Sequence, residues 1–264
     1  MTERQRFFVT NFRLVIQYDG KRYSGWQKQG NTEHTIQGKI EQILSRMTGH
    51  AVEIHGAGRT DAGVHARAQV ANVKIQTELS PQQVQAYLNA YLPGDIAVTD
   101  CRIVPERFHA RLNAKGKHYC YRLCDGGVPD VFSRNIVCAW EHPLDMEAMR
   151  QAAVYLVGTH DFRGFSSVNR RFKKSTVRTI TSLEVTRHGQ EIHVDVQGTG
   201  FLYNMVRIIV GTLVEAGEGK RKPESVLDIL QSLDRQDAGI TMPPQGLMLE
   251  AVFYEGYGVG VSGS

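Results

Sequence analysis

Residues 56–66 read GAGRTDAGVHA. Six of these eleven are Gly or Ala, yet Arg59 and Asp61 place a full-size cation and a full-size anion in the middle. Two chemistries fit that pattern. The charges can form a local ion pair in a tight surface loop, or the missing side chains can admit a large ligand on which the charges act. A single Asp serves as nucleophile or general base when a cation orients it and holds it ionised. One such cation lies far along the chain, in GTGFLYNMVRIIVGTL (198–213), where Arg207 stands among Met205, Val206, Ile208, Ile209 and Val210. Helical spacing groups Arg207 with Tyr203, Asn204 and Gly211 on a narrow polar face opposite Val206, Ile209 and Leu213. A partly buried guanidinium needs an anion, since removing one partner of such a pair costs about 3–5 kcal/mol. These residues alone leave open whether that anion is Asp61 or another carboxylate.

Other chemistries fit less well. A dinucleotide fingerprint GxGxxG would need glycine where the chain has Asp61, and a helix after the loop to hold the pyrophosphate. Period-two alternation follows instead. His55 and His65 flank the loop, but the spacing of His and Cys gives no zinc motif. Neither GxSxG nor GxxxxGK[ST] occurs in the sequence.

The 264 residues suffice for one large domain or two ordinary ones, and the 41% hydrophobic and 22% charged content is that of a globular chain. No apolar run is long enough to span a membrane, and the first residues carry no apolar signal-peptide segment. Four cysteines, Cys101, Cys120, Cys124 and Cys138, lack CxxC spacing, which makes a reducing cytoplasm the default expectation. Net charge is only +4, but its distribution is uneven. Residues 162–178 hold Arg163, Arg170, Arg171, Lys173, Lys174 and Arg178 with no acid, interleaved with Phe162, Phe165 and Phe172. A second stretch holds Arg107, Arg111, Lys115, Lys117 and Arg122, with Glu106 beside it. Clustered cations are the footprint of a polyanion site, and equally of solvated loops.

Elements must position these groups. The patterning predicts strands at 13–18, 51–54, 69–75 and 96–98, with helices over 35–47 and from Ser80-Pro81 to Pro93. From Pro105 the pattern restarts. Strands are expected at 117–123 and 136–140, a hairpin across His188-Gly189, helices at 146–156, 203–216 and 224–233, and a closing strand at 247–254. The irregular order of strands and helices argues for α+β architecture with mainly antiparallel sheet flanked by helices, in two similar halves, 1–105 and 106–264.

With these residues assembled, the chain resembles the TruA-type family of tRNA pseudouridine synthases. YDGKRYSGWQ (18–27), GAGRTDAGVHA (56–66), LPGDIAV (92–98), FHAR (108–111), KHYCYRL (117–123), GFLYNMVRIIVG (200–211) and GLMLEAV (246–252) fall in the family's order. The Arg-Thr-Asp loop is the most specific of them. The resemblance implies isomerisation of uridine to pseudouridine in tRNA, at positions 38–40 of the anticodon stem-loop, without cofactor or metal. It implies that Asp61 is the catalytic residue and that Arg207 pairs with it. It also implies that Arg59 helps displace the target nucleotide, Tyr119 packs on the uracil and Leu247 closes the pocket. A homodimer is implied as well, with the active site in a basic cleft between the two halves of each chain. A tRNA-binding protein without catalytic activity would carry the same charge pattern. A nucleotide-dependent oxidoreductase would instead require dinucleotide binding.

Overall fold

Val9–Tyr18 (β1) alternates apolar residues with polar ones, and Phe12, Leu14 and Ile16 are buried. In the computed structural model, which describes residues 9–128, 130–169 and 171–256, this strand lies between two antiparallel partners. Ile54–Gly56 (β2) is followed by His65–Gln76 (β3), which pairs with β1 in the register Leu14↔Ala71. Ile96–Ile103 (β4) pairs with the other edge of β1. Two helices accompany this sheet. Ile36–Thr48 (α1) is capped by the Thr35 side chain, which accepts from the Gly38 N–H, and ends on left-handed Gly49. It buries Ile36, Ile40, Ile43 and Leu44. Pro81–Tyr91 (α2) begins with a reciprocal capping box between Ser80 and Gln83. Asn89 ties α2 to β4, donating to the Val98 carbonyl at 2.9 Å and accepting from the Val98 N–H at 2.8 Å.

Ala114–Asp125 (β5), Cys138–Trp140 (β6), Gly158–Asp161 (β7), Val177–His188 (β8) and Glu191–Gly198 (β9) supply further strands, paired in the order β5-β9-β8-β7 with β6 beside β5. Their pairings are antiparallel except that of β6 with β5. Gly189 turns the β8–β9 hairpin at φ 62°. Met146–Val154 (α3) packs on β8 and against Met205–Gly217 (α4). A Cβ on Gly217 would meet the Met149 side chain at 2.9 Å, so glycine lets those two helices approach closely. Ser225–Ser232 (α5) follows, and Leu247–Tyr254 (β10) closes the chain and lies beside β3.

These elements form two compact units, Met1–Lys115 with Leu249–Ser264, and Gly116–Met248. The architecture is α+β with mainly antiparallel sheet and helices in each unit. The first unit continues past Pro105 because buried amides hold that segment to the sheet. Asn11 Nδ2 donates to the Phe108 and Pro105 carbonyls at 2.9 and 3.0 Å, and Asn72 Oδ1 accepts from the Ala110 N–H at 2.8 Å. Tyr254 closes the same segment by donating to the Ala110 carbonyl at 2.6 Å.

Candidate active site

The loop between β2 and β3 carries Arg59, Thr60 and Asp61, and the centre of this triplet is its anchor. Thr60 is buried, and its hydroxyl lies 2.8 Å from the Tyr18 hydroxyl. The Thr60 carbonyl accepts from the Trp26 N–H at 3.1 Å. Gly25, at φ +93°, passes so close that a Cβ there would lie 2.6 Å from the Thr60 carbonyl oxygen. A Cβ on Gly56 would strike the Trp26 indole at 2.5 Å. The 18–27 segment is therefore the bed on which the loop rests. The Asp61 carbonyl accepts from the Val64 N–H at 3.1 Å, and Gly63 turns the chain at φ 78° into β3. With Thr60 turned inward, its neighbours Arg59 and Asp61 are exposed and half-buried respectively. Arg59 Nε donates to Gln27 Oε1 at 3.1 Å.

Tyr119, Arg207 and Leu247 belong to the second unit. Tyr119 sits on β5 opposite Val196 of β9, is buried, and meets Phe201 edge-to-face with ring centroids 5.3 Å apart. Arg207 lies in the first turn of α4, half-buried, on the polar face expected from spacing. Its Nη1 donates to Asn204 Oδ1 at 2.9 Å and its Nε to the Met242 carbonyl at 2.6 Å. The 239–243 segment can approach α4 because Gly211 lacks a side chain: a Cβ there would overlap the Ile240 carbonyl oxygen. Leu247 is buried at the start of β10, where the Pro243 carbonyl accepts from the Tyr121 hydroxyl at 2.8 Å and Gly246 lies on the Tyr121 ring. Tyr121, two residues along β5 from Tyr119, thus ties the Leu247 turn to the Tyr119 strand.

Helical spacing sets Asn204 beside Arg207, but the other supports have no signal in the sequence: Gln27 on Arg59, Tyr18 on Thr60 and the Met242 carbonyl on Arg207. The basic runs divide into buried and exposed members. Phe162 and Phe165 are fully buried core residues, not surface aromatics, whereas Arg171, Lys173 and Lys174 are exposed. Arg170 lies outside the described residues. In the other run, Glu191 accepts two hydrogen bonds from Arg122, at 2.8 and 2.9 Å, while Arg107 and Arg111 are exposed. Among the described residues no helix is long and apolar enough to cross a membrane.

A family model described as tRNA pseudouridine synthase matches residues 14–113 and 152–255. A tRNA pseudouridine synthase A of Bacillus sp. (strain KSM-64) is 48% identical over 93% of this chain and 100% of that protein. A tRNA pseudouridine synthase A 2 of Clostridium perfringens (strain 13 / Type A) is 46% identical, again over 93% of this chain and 100% of the relative. Among solved structures, a chain of a Cbf5-Nop10-Gar1 complex aligns with 90% of this chain at 14% identity and a TM-score of 0.36. This chain spans about half of that one, 48%. On the family match and the full-length relatives, the chain belongs to the tRNA pseudouridine synthase family.

Proposed function

We propose that this enzyme converts uridine to pseudouridine at positions 38–40 of the tRNA anticodon stem-loop, with Asp61 as its catalytic carboxylate. The observation that carries the reading is the build of the 56–63 loop. Thr60 is locked inward by Tyr18, Trp26 and Gly25, so Asp61 is held in place in a segment bare of other bulk. The reaction breaks the bond between ribose C1′ and uracil N1, turns the base, joins C1′ to C5 and releases the C5 proton. Attack of Asp61 on C1′, attack on C6, and abstraction of a ribose proton all start from its ionised form. Arg207 is the supporting cation that favours this form against desolvation. A stacked uridine presents neither atom to a protein, so the nucleotide must leave the stem at a cost of a few kcal/mol. Arg59, exposed beside Asp61, takes phosphate contacts as it leaves. Tyr119 offers a flat apolar face to the detached uracil, and Leu247 helps to exclude the water that would hydrolyse the sugar. The enzyme acts as a cytoplasmic homodimer.

Tritium release from C5-labelled uridine in an unmodified tRNA transcript tests the assignment. Native protein should release tritium and Asp61→Asn should release none while still binding the transcript. Binding without release by both proteins would make the chain a tRNA binder. Equal release by both would mean that the loop serves the fold and the chemistry lies elsewhere.

A further inference from the structure

One face of the β5–β9 pair carries a set of metal-ligating groups that the isomerisation does not use. Cys120 and Asp195 are directly opposite in the register, and His193 lies two residues before Asp195 on the same face. The Cys120 sulfur, one His193 ring nitrogen and one Asp195 oxygen all lie within 4.8 Å of one another. Around a tetrahedral zinc ion such atoms are roughly 3.3–3.8 Å apart, so small rotamer adjustments close the difference.

We propose that Cys120, His193 and Asp195 form a binding site for a borderline-soft divalent cation, zinc by preference, that clamps β5 to β9. The surrounding groups are arranged as outer partners of such a site. Glu191 Oε2 lies 2.9 Å from His193 Nε2. Ligating histidines commonly hold one nitrogen against a carboxylate, which leaves the other, here Nδ1, for the ion. His118 Nε2 lies 2.7 Å from Asp195 Oδ1 and orients that carboxylate in the same way. A thiolate with an imidazole selects zinc or cobalt over magnesium or calcium. Cys120 is 5% exposed, whereas the side chains of His193 and Asp195 are 22% and 30% exposed, so an ion can enter from solvent. On binding, the Cys120 thiol gives its proton to solvent and the sulfur becomes a ligand. By strand alternation Tyr119 points to the opposite face, so the ion stiffens the strand that carries Tyr119 without touching that ring.

The test is a cobalt titration of the full-length chain after chelator treatment. Native protein should bind one Co2+ ion per chain with a near-ultraviolet thiolate-to-cobalt band, and Zn2+ should abolish the band by displacement. Cys120→Ser should lose the band, Cys124→Ser should keep it, and His193→Gln should weaken cobalt affinity by about tenfold or more. A folded native chain that shows no band at excess Co2+ overturns the proposal, as does a band that survives in Cys120→Ser. Should circular dichroism show Cys120→Ser to be unfolded, Asp195→Asn decides the matter. It keeps the thiol, and an affinity unchanged from native would equally overturn the site.

Discussion

Asn204 Oδ1 accepts a hydrogen bond from Arg207 Nη1 at 2.9 Å, and Asn204 itself is left-handed at φ 60°. Its amide nitrogen donates to Ser167 Oγ at 3.1 Å. The residue that starts α4 therefore uses both ends of its side chain, one of them on Arg207, the cation proposed to support Asp61. Asparagine is among the few side chains that adopt this backbone region without a large penalty. Glycine adopts it more easily still, which allows backbone and side-chain roles to be separated.

Asn204→Gly keeps the backbone unstrained but loses both side-chain hydrogen bonds, so it should lower the melting temperature by several degrees and lower kcat more than it changes KM. Loss of a hydrogen bond to a charged group is worth about 1.5–3 kcal/mol, roughly ten- to hundredfold in rate if the bond positions Arg207. Asn204→Ala should add a loss of stability from the strained φ. Native kcat in Asn204→Gly would remove Asn204 from the positioning of Arg207.

Gly25 and Gly49 make a second pair of tests. Both have positive φ, but a Cβ on Gly49 meets nothing within 4 Å, whereas one on Gly25 would press on the Thr60 carbonyl. Gly49→Ala should cost about 1–2 kcal/mol of stability through strain alone and leave kcat unchanged. Gly25→Ala should cost more and also lower kcat, because relief of the clash displaces the residue next to Asp61. Urea melts and tritium release measure both effects; equal kcat in the two variants would detach Gly25 from the loop's geometry.

The contrast between these glycines also marks where the sequence is informative. Local signals were legible: Ser80-Pro81 opens α2, Gly189 turns the β8–β9 hairpin, and Arg207 lies on the polar face of α4. Edges were less so. Strand β3 begins at His65, four residues before its apolar alternation becomes clear, because the extension is held by pairing with β1 through Ala66↔Tyr18. Strand β7, Gly158–Asp161, reads GTHD, has no apolar alternation and exists by pairing with β8. Distant polar partners were invisible. Nothing near Asn11 or Asn72 announces that their amides hold residues 105–110, and Gln27 is 32 positions from the Arg59 that it steadies. Spacing tests for zinc read along the chain, so they pass over Cys120 and Asp195, which meet only across a strand register.

Acid should weaken the second unit through Asp125. Arg187 donates to both its oxygens, at 2.8 and 3.0 Å, and the Leu144 N–H donates at 2.9 Å. Burial alone would raise this carboxyl, but the hydrogen bonds and charge of Arg187, with the Leu144 N–H, hold it below its ordinary value. A depressed folded-state pKa means that the stabilisation is fully present above the unfolded value of about 3.9 and is lost as pH falls through the folded value. Asp125→Asn should therefore cost about 1–3 kcal/mol near pH 7, and its stability should converge with native in acid. Parallel curves from pH 7 down through the carboxylate range would show that the pair contributes no pH dependence.

The exposed cations Arg171, Lys173 and Lys174 supply the last prediction, because they differ from Arg122, which Glu191 already neutralises. If tRNA phosphates lie on the 171–174 run, each neutralised phosphate should contribute about 0.7–0.9 to the slope of log affinity against log salt. Replacing Arg171, Lys173 and Lys174 together with Gln should flatten that slope by up to roughly 2–3. Arg122→Gln should leave it unchanged, since its guanidinium is bound within the sheet. Filter-binding isotherms at several salt concentrations give both slopes. A slope untouched by the triple replacement would mean that the run is a solvated loop, and that the phosphate contacts must be sought among other exposed cations, Arg107 and Arg111 first.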